Sequence, residues 1–373
     1  MLLAFLLATV AAMSPSPSPA PTPTPTPVPA YSVDGAFSLY YVHTNNVNAT
    51  GALDTPSGVD LANRTDNSEA LLTLSKNAGV LRFSLTGGAY AFPVVGQAIN
   101  PTTQPSSNSC LYGFVPLAAV QYVPSTHLTV SVGKQSTLLG QESAFTAQNL
   151  NVQRGLGFAL EPTISRGGRA IYTNGKFTGD LEYNDGYYSG NGGRAIEGLV
   201  GWAPSAATNV QFAFIAPGGN TPGNVTASVA NKREYDLMLT QQVGKLLLLP
   251  YLLFANTPAS PKLGYTRSEN ALVAVLLANY AFGNAYSIAG RYEAFTQSSA
   301  AGDSSLNADL LGFGAGSNAT SWTITPAYKV NTFFARAEYS LVNVTGFKPG
   351  LAFGPLGTGA NQSRVVVELG VQF

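Results

Sequence analysis

Apolar and polar side chains alternate along many short segments of this chain, and a clear example lies at its end. In "RVVVELGVQF", residues 364–373, every second side chain is apolar and falls on one face: Val365, Val367, Leu369, Val371 and Phe373. Arg364 and Glu368 fall on the opposite face. A period of two residues is typical of a β-strand, because successive side chains point to opposite sides of its backbone.

The same alternation recurs in segments spread along the chain from residue 36 onward. They are "AFSLYYVH", "VLRFSLTGG", "HLTVSVGK", "FTGDLEYND", "AYSIAGRYEAF" and "TFFARAEYSL". Each has one apolar face and one face that carries charged or hydroxyl groups. Their length matches the roughly nine to eleven residues that a tilted strand needs to cross a bilayer. The pattern predicts a chain built of strands that each have one lipid-compatible face.

Two segments, "KLLLLPYLLFAN" and "NALVAVLLANYAFG", are apolar on both faces. Each is shorter than the roughly 20 residues that a membrane-spanning helix needs, and Pro250 interrupts the first. We interpret them as strands at 246–255 and 271–282 whose inner face is covered by an inserted loop or by neighbouring strands. A pair of buried core helices is the alternative.

The connections between the strands alternate between long and short. The long ones, rich in Asn, Gly, Ser, Pro and Thr, cover residues 45–67, 92–110, 135–152, 185–193, 217–232, 256–269, 297–319 and 343–363. The short ones are "KNAG", "VPST", "EPTISRGG", "APSAATN", "QQVGK", "FGNA" and "KVNT". These connections predict about 16 strands, within a range of about 14–18, and long loops opposite short turns are typical of bacterial outer-membrane barrels.

A sheet in lipid cannot leave an edge unpaired, so the strands must close on themselves. The predicted fold is therefore an all-β, antiparallel, up-and-down transmembrane β-barrel. An even number of strands places the start of the first strand and the end of the last strand on the same side, which is the periplasmic side. Tyrosines near strand ends suit the aromatic girdles of such a barrel: Tyr40, Tyr41, Tyr122, Tyr187, Tyr188, Tyr251, Tyr280, Tyr292 and Tyr328.

The N-terminal 30 residues differ from the rest of the chain. Residues 1–12 form an apolar run of the length of a secretory signal peptide, with cleavage expected near Ala11 or Ala12. A disordered apolar tail is the alternative. Residues 13–30 alternate Pro with Ser or Thr, which favours polyproline II and predicts a disordered periplasmic linker. The barrel is expected to occupy residues 31–373.

Charged residues make up only 10% of the chain, against roughly 25% in an average soluble protein. Such a composition suits either a fibrous protein or a protein whose outer surface largely does not face water. The 19 basic and 19 acidic residues cancel, so no net field attracts nucleic acid, and we expect no nucleic-acid partner.

The residues that usually carry enzymatic chemistry are scarce. Cys110 is the only cysteine, and His43 and His127 are the only histidines. No catalytic, phosphate-binding or zinc-binding motif occurs along the chain. We therefore expect no enzyme activity, no cofactor and no metal site; a lipase or protease barrel would have to use histidines at strand ends.

The stretch "LTVSVGKQSTLLGQESAFTAQNLNVQRGLGFALEPTISRGGRAIY" resembles the OmpL-like beta-barrel porins of bacteria. The matching elements are Val132, Gly133, Lys134, Thr137, Gly140, Glu142, Asn151, Arg154, Phe158, Pro162, Gly168, Arg169 and Tyr172, with the loop "NDGYYSGN". Where that family usually has a serine beside the arginine, this chain has Gln153. The resemblance implies a bacterial outer-membrane porin.

A barrel of this size is wide enough for an aqueous channel, and diffusion through it needs no cofactor. The predicted function is passive diffusion of small hydrophilic solutes across the outer membrane. The alternative is a barrel plugged by its own loops, with a structural or adhesive role at the surface. The expected partners are outer-membrane lipid, the solutes, the barrel-assembly machinery and, by analogy with other porins, two further copies in a homotrimer.

The candidate constriction is the loop 134–152, which is expected to fold inward. Its candidate residues are Lys134, Gln135, Thr137 and Glu142, with Arg154 on the adjoining wall. Strand parity predicts a pore wall formed by Arg82, Lys176, Asp180, Glu182, Arg291, Glu293, Arg336, Glu338, Arg364 and Glu368. These charges either orient solutes or only pair across neighbouring strands. Resemblance to other outer-membrane proteins implies that Phe373 is an assembly signal.

Overall fold

The computed structural model describes residues 29–48, 61–99, 102, 111–188, 194–218, 232–261 and 264–373. The predicted signal peptide and nearly all of the predicted linker lie outside the described residues. The first strand begins at Tyr31.

Sixteen antiparallel strands form one closed barrel in which each strand pairs with its neighbours in sequence and β1 pairs with β16. They are β1 Tyr31–Asn45, β2 Asn63–Lys76, β3 Leu81–Tyr90, β4 Leu117–Tyr122, β5 Leu128–Ser136, β6 Ile164–Asn174, β7 Phe177–Asn184, β8 Ala195–Ser205, β9 Thr208–Pro217, β10 Arg233–Val243, β11 Leu246–Thr257, β12 Glu269–Ala281, β13 Tyr286–Gln297, β14 Asn318–Val330, β15 Phe333–Thr345 and β16 Asn361–Gln372. Two short 3-10 segments, Thr146–Gln148 and Gly157–Ala159, lie between β5 and β6. The predicted fold class is confirmed.

No helix among the residues that the structure describes is long and apolar enough to cross a membrane.

Short turns and long loops alternate around the barrel as predicted, with one error. The segment "EPTISRGG" was expected to be a short connection, but β6 begins within it, at Ile164. The connection from β5 to β6 therefore runs over residues 137–163, and the short turn follows at Gly175 and Lys176. Gly175 has a φ of +59°, a conformation that glycine adopts without strain in such a turn.

Strand parity sorts the side chains into an outer and an inner set. On β16, Val367 and Leu369 are 43% and 52% exposed, whereas Glu368 between them is fully buried. Val366, the apolar residue on the polar face, is buried with Tyr40 and Val42 of β1 inside the barrel. The outer set faces lipid, as in other membrane barrels.

Three tyrosines expected in the aromatic girdles lie inside the barrel instead. Tyr40, Tyr187 and Tyr251 are each at least nine-tenths buried. Tyr40 and Tyr251 share strand parity with inward residues, while Tyr187 donates a hydrogen bond to Glu234 (3.0 Å). The parity of β1 and β11 therefore gives the inward direction of Tyr40 and Tyr251, whereas Tyr187 lies beyond the end of β7.

The two doubly apolar segments are strands β11 and β12, so the helical alternative is wrong. Their inner faces carry Leu253, Val273, Val275 and Leu277, all buried in one apolar cluster. Leu156 and Leu160 of the connection between β5 and β6 belong to the same cluster. An inserted loop therefore covers this side of the lumen, which is the first of the two coverings that the sequence pattern allowed.

The barrel closes where the C-terminus meets β1. The Gly35 N–H donates to the Phe373 carbonyl (2.9 Å), and the Phe373 N–H donates to the Gly35 carbonyl (3.0 Å). The Phe373 ring covers Gly35 so closely that a Cβ at residue 35 would lie 2.6 Å from the ring. The terminal residue thus completes the pairing of β16 with β1.

We predict that deleting Phe373 lowers the yield of closed barrel several-fold, because both terminal backbone hydrogen bonds and the ring contact with Gly35 are lost. The measurement is the fraction of membrane protein that migrates as the compact, heat-modifiable form on unboiled gels. Val371→Ala is the matched control, since it removes an outward apolar side chain and keeps the terminal pairing. Equal folded fractions for the deletion and the control would contradict the prediction.

Candidate functional site

The connection between β5 and β6, residues 137–163, enters the barrel and is called here the inserted loop. Its backbone contacts side chains of five strands around the wall, namely β2, β8, β10, β13 and β15. It therefore crosses the lumen rather than lining one side.

Glu338 of β15 shows how the wall holds this loop. Its carboxylate accepts hydrogen bonds from the N–H groups of Val152 (2.5 Å) and Gln153 (3.1 Å) and from the Gln153 side chain (2.9 Å). Thr325 of β14 donates a further one (2.8 Å). A loop inside a barrel has no neighbouring strand, so its buried N–H groups need such acceptors.

Other wall carboxylates repeat this arrangement at intervals along the loop. Glu69 accepts from the N–H groups of Thr146 and Ala147 (2.9 Å each), Glu293 from Leu156 (2.9 Å) and Gly157 (3.0 Å), Asp236 from Gly140 (2.7 Å), and Glu197 from Leu138. All four acids are nearly or fully buried. The wall therefore supplies charged acceptors where a sheet would supply carbonyl groups.

Wall arginines bind the loop carbonyls in the same way. Arg336 donates to the carbonyls of Asn149 (2.8 Å) and Thr146 (3.1 Å) and to Glu368 (2.7 Å). Arg291 donates to the Gln153 carbonyl (2.6 Å). Basic and acidic wall residues together fix both polar groups of the loop backbone.

Glu142, a predicted constriction residue, lies within this network. Its carboxylate pairs with Arg291 (2.8 Å) and accepts the Gly155 N–H (2.8 Å). Burial raises the pKa of Glu142, and the Arg291 charge opposes that rise. Glu142 therefore connects its own part of the inserted loop both to β13 and to Gly155 farther along the loop.

Arg154 was expected on the wall, but it lies in the inserted loop and is fully buried there. Its guanidinium donates to Thr146 Oγ1 (2.8 Å) and lies 5.5 and 5.9 Å from the ring centres of Phe92 and Phe158. Burial lowers its pKa to about 10, so the group stays charged at neutral pH. Arg154 organises the interior of the loop rather than a solute path.

A second segment, residues 91–99, joins the inserted loop inside the barrel. The Arg154 backbone donates to the Pro93 carbonyl (2.8 Å) and accepts the Val95 N–H (3.0 Å). Arg364 of β16 donates to the Val94 carbonyl and to the Gln153 side chain, both at 2.9 Å. Two loops therefore pair with each other across the lumen.

The other candidate constriction residues lie on or near β5. Thr137 donates to Glu197 (2.8 Å), and Gln135 faces inward and accepts from Ser131 (2.5 Å). Lys134 lies on the opposite face of β5, where its ammonium donates to the carbonyls of Tyr112 (2.5 Å) and Val115 (2.6 Å). The expectation that Lys134 faces the lumen is wrong, because strand parity gives that direction to Gln135.

Most of the predicted pore wall does face inward and is buried: Glu182, Arg291, Glu293, Arg336, Glu338, Arg364 and Glu368. Asp180 is partly buried near Arg169 (3.9 Å). Arg82, near a short turn, donates to the Gly79 carbonyl (3.1 Å). Lys176 is exposed in the turn after β6, so its assignment to the wall is wrong because the strand ends before it.

Sequence reasoning missed several inward acids. Glu69 follows an irregularity in the pairing of β2 with β1, and both it and Ser68 are buried, so simple alternation cannot assign it. Glu234 and Asp236 in "REYDLML" do obey a period of two, and that signal was available. No group of His, Cys, Asp and Glu within the described ranges could hold a metal ion.

Glu161 of the inserted loop is a buried acid that lies near two other acids, Asp236 and Glu234. Both of its carboxylate oxygens are buried without a hydrogen-bond partner. Burial raises the pKa of Glu161 well above its usual value, and the nearby charges of Asp236 and Glu234 raise it further. Lys232 is bonded to the Leu160 carbonyl beside this cluster. Glu161 therefore holds its proton to higher pH than a carboxyl group in water does.

We predict that Glu338→Ala frees the middle of the inserted loop. Each backbone N–H left without an acceptor costs about 1–3 kcal/mol, so the amides of Val152 and Gln153 should exchange with solvent much faster. Hydrogen exchange read by mass spectrometry measures this. Asp180→Ala is the control, because that acid faces Arg169 of the wall; equal exchange in both variants would oppose the assignment.

We predict that Glu161→Gln stabilises the barrel at high pH only. The folded state keeps the Glu161 proton above the unfolded pKa of about 4.5, so wild-type stability falls as pH rises beyond that value. The neutral Gln removes this loss, worth about 1.4 kcal/mol per unit of pKa shift. Urea unfolding at pH 4 and pH 8, followed by fluorescence of Trp202 and Trp322, should show a gain at pH 8 alone; a pH-independent difference would disprove it.

Solved structures of outer-membrane proteins share this architecture. The anion-selective porin from Comamonas acidovorans matches with a TM-score of 0.63 and 12% identity, over 92% of this chain and 99% of that one. OmpT of Vibrio cholerae, folded in vitro, matches with a TM-score of 0.57 and 12% identity, over 93% and 99%. Its trimer form matches with a TM-score of 0.56 and 11% identity, over 92% and 100%. At this identity the likeness shows the fold alone.

A search of curated proteins gave no match. The sequence pattern of the family described as "Putative beta-barrel porin-2, OmpL-like" matches residues 30–373, which is nearly the whole chain. The structure agrees with this match, since it is a closed barrel of sixteen strands with a loop that folds inward. This chain belongs to the OmpL-like beta-barrel porin family and is an outer-membrane porin.

Proposed function

We propose that this porin passes small hydrophilic solutes by passive diffusion, through a lumen that the inserted loop narrows. The observation that carries the proposal is the difference between the two halves of the lumen. Several half-buried inward residues toward the short-turn end are polar and uncharged, for example Thr73, Ser84, Gln121, Gln211 and Asn279. They lie beside the charged Arg82 and Asp180 and the apolar Leu247 and Leu249. The inserted loop is anchored nearer the opposite end. Hydroxyl and amide groups suit neutral hydrophilic solutes, while the loop limits their size.

The charges deeper in the barrel support a sieve of fixed geometry. Arg291 pairs with Glu142 and Glu293, and Arg336 pairs with Glu368. Most of these groups also bond the inserted loop, so moving one of them breaks several hydrogen bonds. Solute size should therefore decide passage more than solute charge does.

The second candidate function is a plugged barrel with a structural or adhesive role. It is favoured by the apolar cluster that joins the inserted loop to β11 and β12, because a water-filled passage gains nothing from buried Leu253 and Leu277. The porin family and the polar half of the lumen favour the channel.

The wider context follows from the barrel orientation. Tyr31 and Phe373 both lie at the short-turn end, which is periplasmic in barrels of this kind. This supports a periplasmic N-terminus, with residues 1–12 as signal peptide and 13–30 as linker, and recognition of Phe373 by the barrel-assembly machinery. The proposal also includes assembly of three copies into a homotrimer and the absence of enzyme activity and of a cofactor.

We predict ohmic single-channel steps when the purified, heat-modifiable protein is added to planar bilayers. Swelling of liposomes that contain the protein should be fast with monosaccharides and should fall steeply as the sugar grows, because the inserted loop fixes the passage. Liposomes with boiled protein are the control. Folded protein that neither conducts nor supports swelling would reject the channel and favour the plugged barrel.

A further inference from the structure

The outer wall of the barrel carries a groove that the channel does not explain. It has a volume of about 370 Å³ and lies over β5, β6 and β7. Its sides are the exposed apolar side chains of Val132, Leu181 and Tyr183, and its floor is Gly168 and Ala170 of β6. This volume falls in the lower part of the range of ligand pockets, roughly 300–1,000 Å³.

The barrel itself does not need a glycine at residue 168. A Cβ built there would have its nearest neighbours at 3.9 Å, an ordinary contact. The preceding Gly167 faces the lumen, and a Cβ there would lie 2.3 Å from the Tyr183 carbonyl oxygen. Gly167 is therefore required by packing, whereas Gly168 leaves open the space that forms the groove.

Two cations lie at the long-loop end of this groove. Arg166 is two residues before Gly168 on the same outward face, about 6–7 Å along the strand, and it pairs in register with Lys134 of β5. Their cationic groups lie 4.2 and 5.4 Å from the Tyr188 ring centre. Asp185 bonds Arg166 (2.5 Å), so two positive charges face one negative charge. The Arg166 side chain is 43% exposed.

The position of these groups along the membrane normal determines which part of a lipid contacts them. The long-loop ends of β5 and β6 face the cell exterior in barrels of this type, so the cations and Tyr188 lie at the level of the outer-leaflet headgroups. The apolar groove below them lies at the level of the acyl chains. Basic pockets beside apolar membrane surfaces bind anionic headgroups through charge.

We propose that this site binds the phosphorylated glycolipid of the outer leaflet. One acyl chain lies in the groove over Gly168 and Ala170, and a headgroup phosphate is bound by the exposed Arg166. Lys134, whose ammonium is held by the Tyr112 and Val115 carbonyls, adds its positive charge to the site. A second copy of the chain would also cover an apolar groove. It would need a negative group placed opposite Arg166 and Lys134, whereas the lipid carries a phosphate at that level. The net positive rim favours a lipid phosphate.

The experiment measures binding of purified lipid A to the full-length folded protein in detergent by native mass spectrometry. Lipid A without its phosphates and phosphatidylglycerol are the comparison lipids. Arg166→Gln should weaken lipid A binding about tenfold, the loss expected for one charge-assisted contact. Gly168→Leu should weaken it similarly by filling the groove, and lipid without phosphate should bind weakly to every variant.

Two control variants match these changes elsewhere on the outer wall. Arg233→Gln removes an exposed arginine at the long-loop end of β10, and Gly290→Leu fills an open outward position on β13, where a Cβ would have its nearest neighbour at 3.8 Å. Both controls should bind lipid A like the wild type. The proposal fails if Arg166→Gln and Gly168→Leu bind normally, if phosphatidylglycerol binds as tightly as lipid A, or if Gly168→Leu instead dissociates an oligomer. Channel conductance should be unchanged in all four variants, so this test is independent of the proposed function.

Discussion

The structure of this porin depends on how backbone N–H groups inside the lumen find acceptors. The backbone of a wall strand forms hydrogen bonds with the two neighbouring strands, but the inserted loop has no neighbouring strand. A buried N–H group without an acceptor is costly in free energy. Wall carboxylates substitute for the missing strand. Because one carboxylate has two oxygens, Glu338 and Glu293 each hold two consecutive N–H groups.

This requirement explains the distribution of charge along the chain. Only 10% of residues are charged, yet many of them are buried in the lumen, where they would be costly without partners. Their partners are the loop backbone and each other. The pore wall and the loop anchor are thus one network. Arg336 pairs with Glu368 of the neighbouring strand, as the cross-strand alternative predicted, and it also holds the loop through the Asn149 carbonyl.

The apolar side of the lumen follows from the same loop. Leu156 and Leu160 bring apolar surface to the inner faces of β11 and β12, which removes the need for polar residues there. A barrel half lined by hydroxyl and amide groups and half packed around a loop has its solute path confined to part of its cross-section. The size limit is then set by the loop anchors rather than by the barrel diameter.

Strand number, the short-turn and long-loop ends, and the inward direction of Arg291, Glu293, Arg336 and Glu338 were determined by the sequence, because a period of two is local and lipid demands an apolar outer face. The local period of β5 also places Lys134 on the outward face of Val130 and Val132. The tertiary structure alone decided that Arg154 lies inside the loop and that Glu69 binds the loop. These depend on where β6 begins and on an irregularity in β2, and neither leaves a local period to read. Contacts between a loop and a distant wall are set by closure of the whole barrel, which brings together residues far apart in the chain.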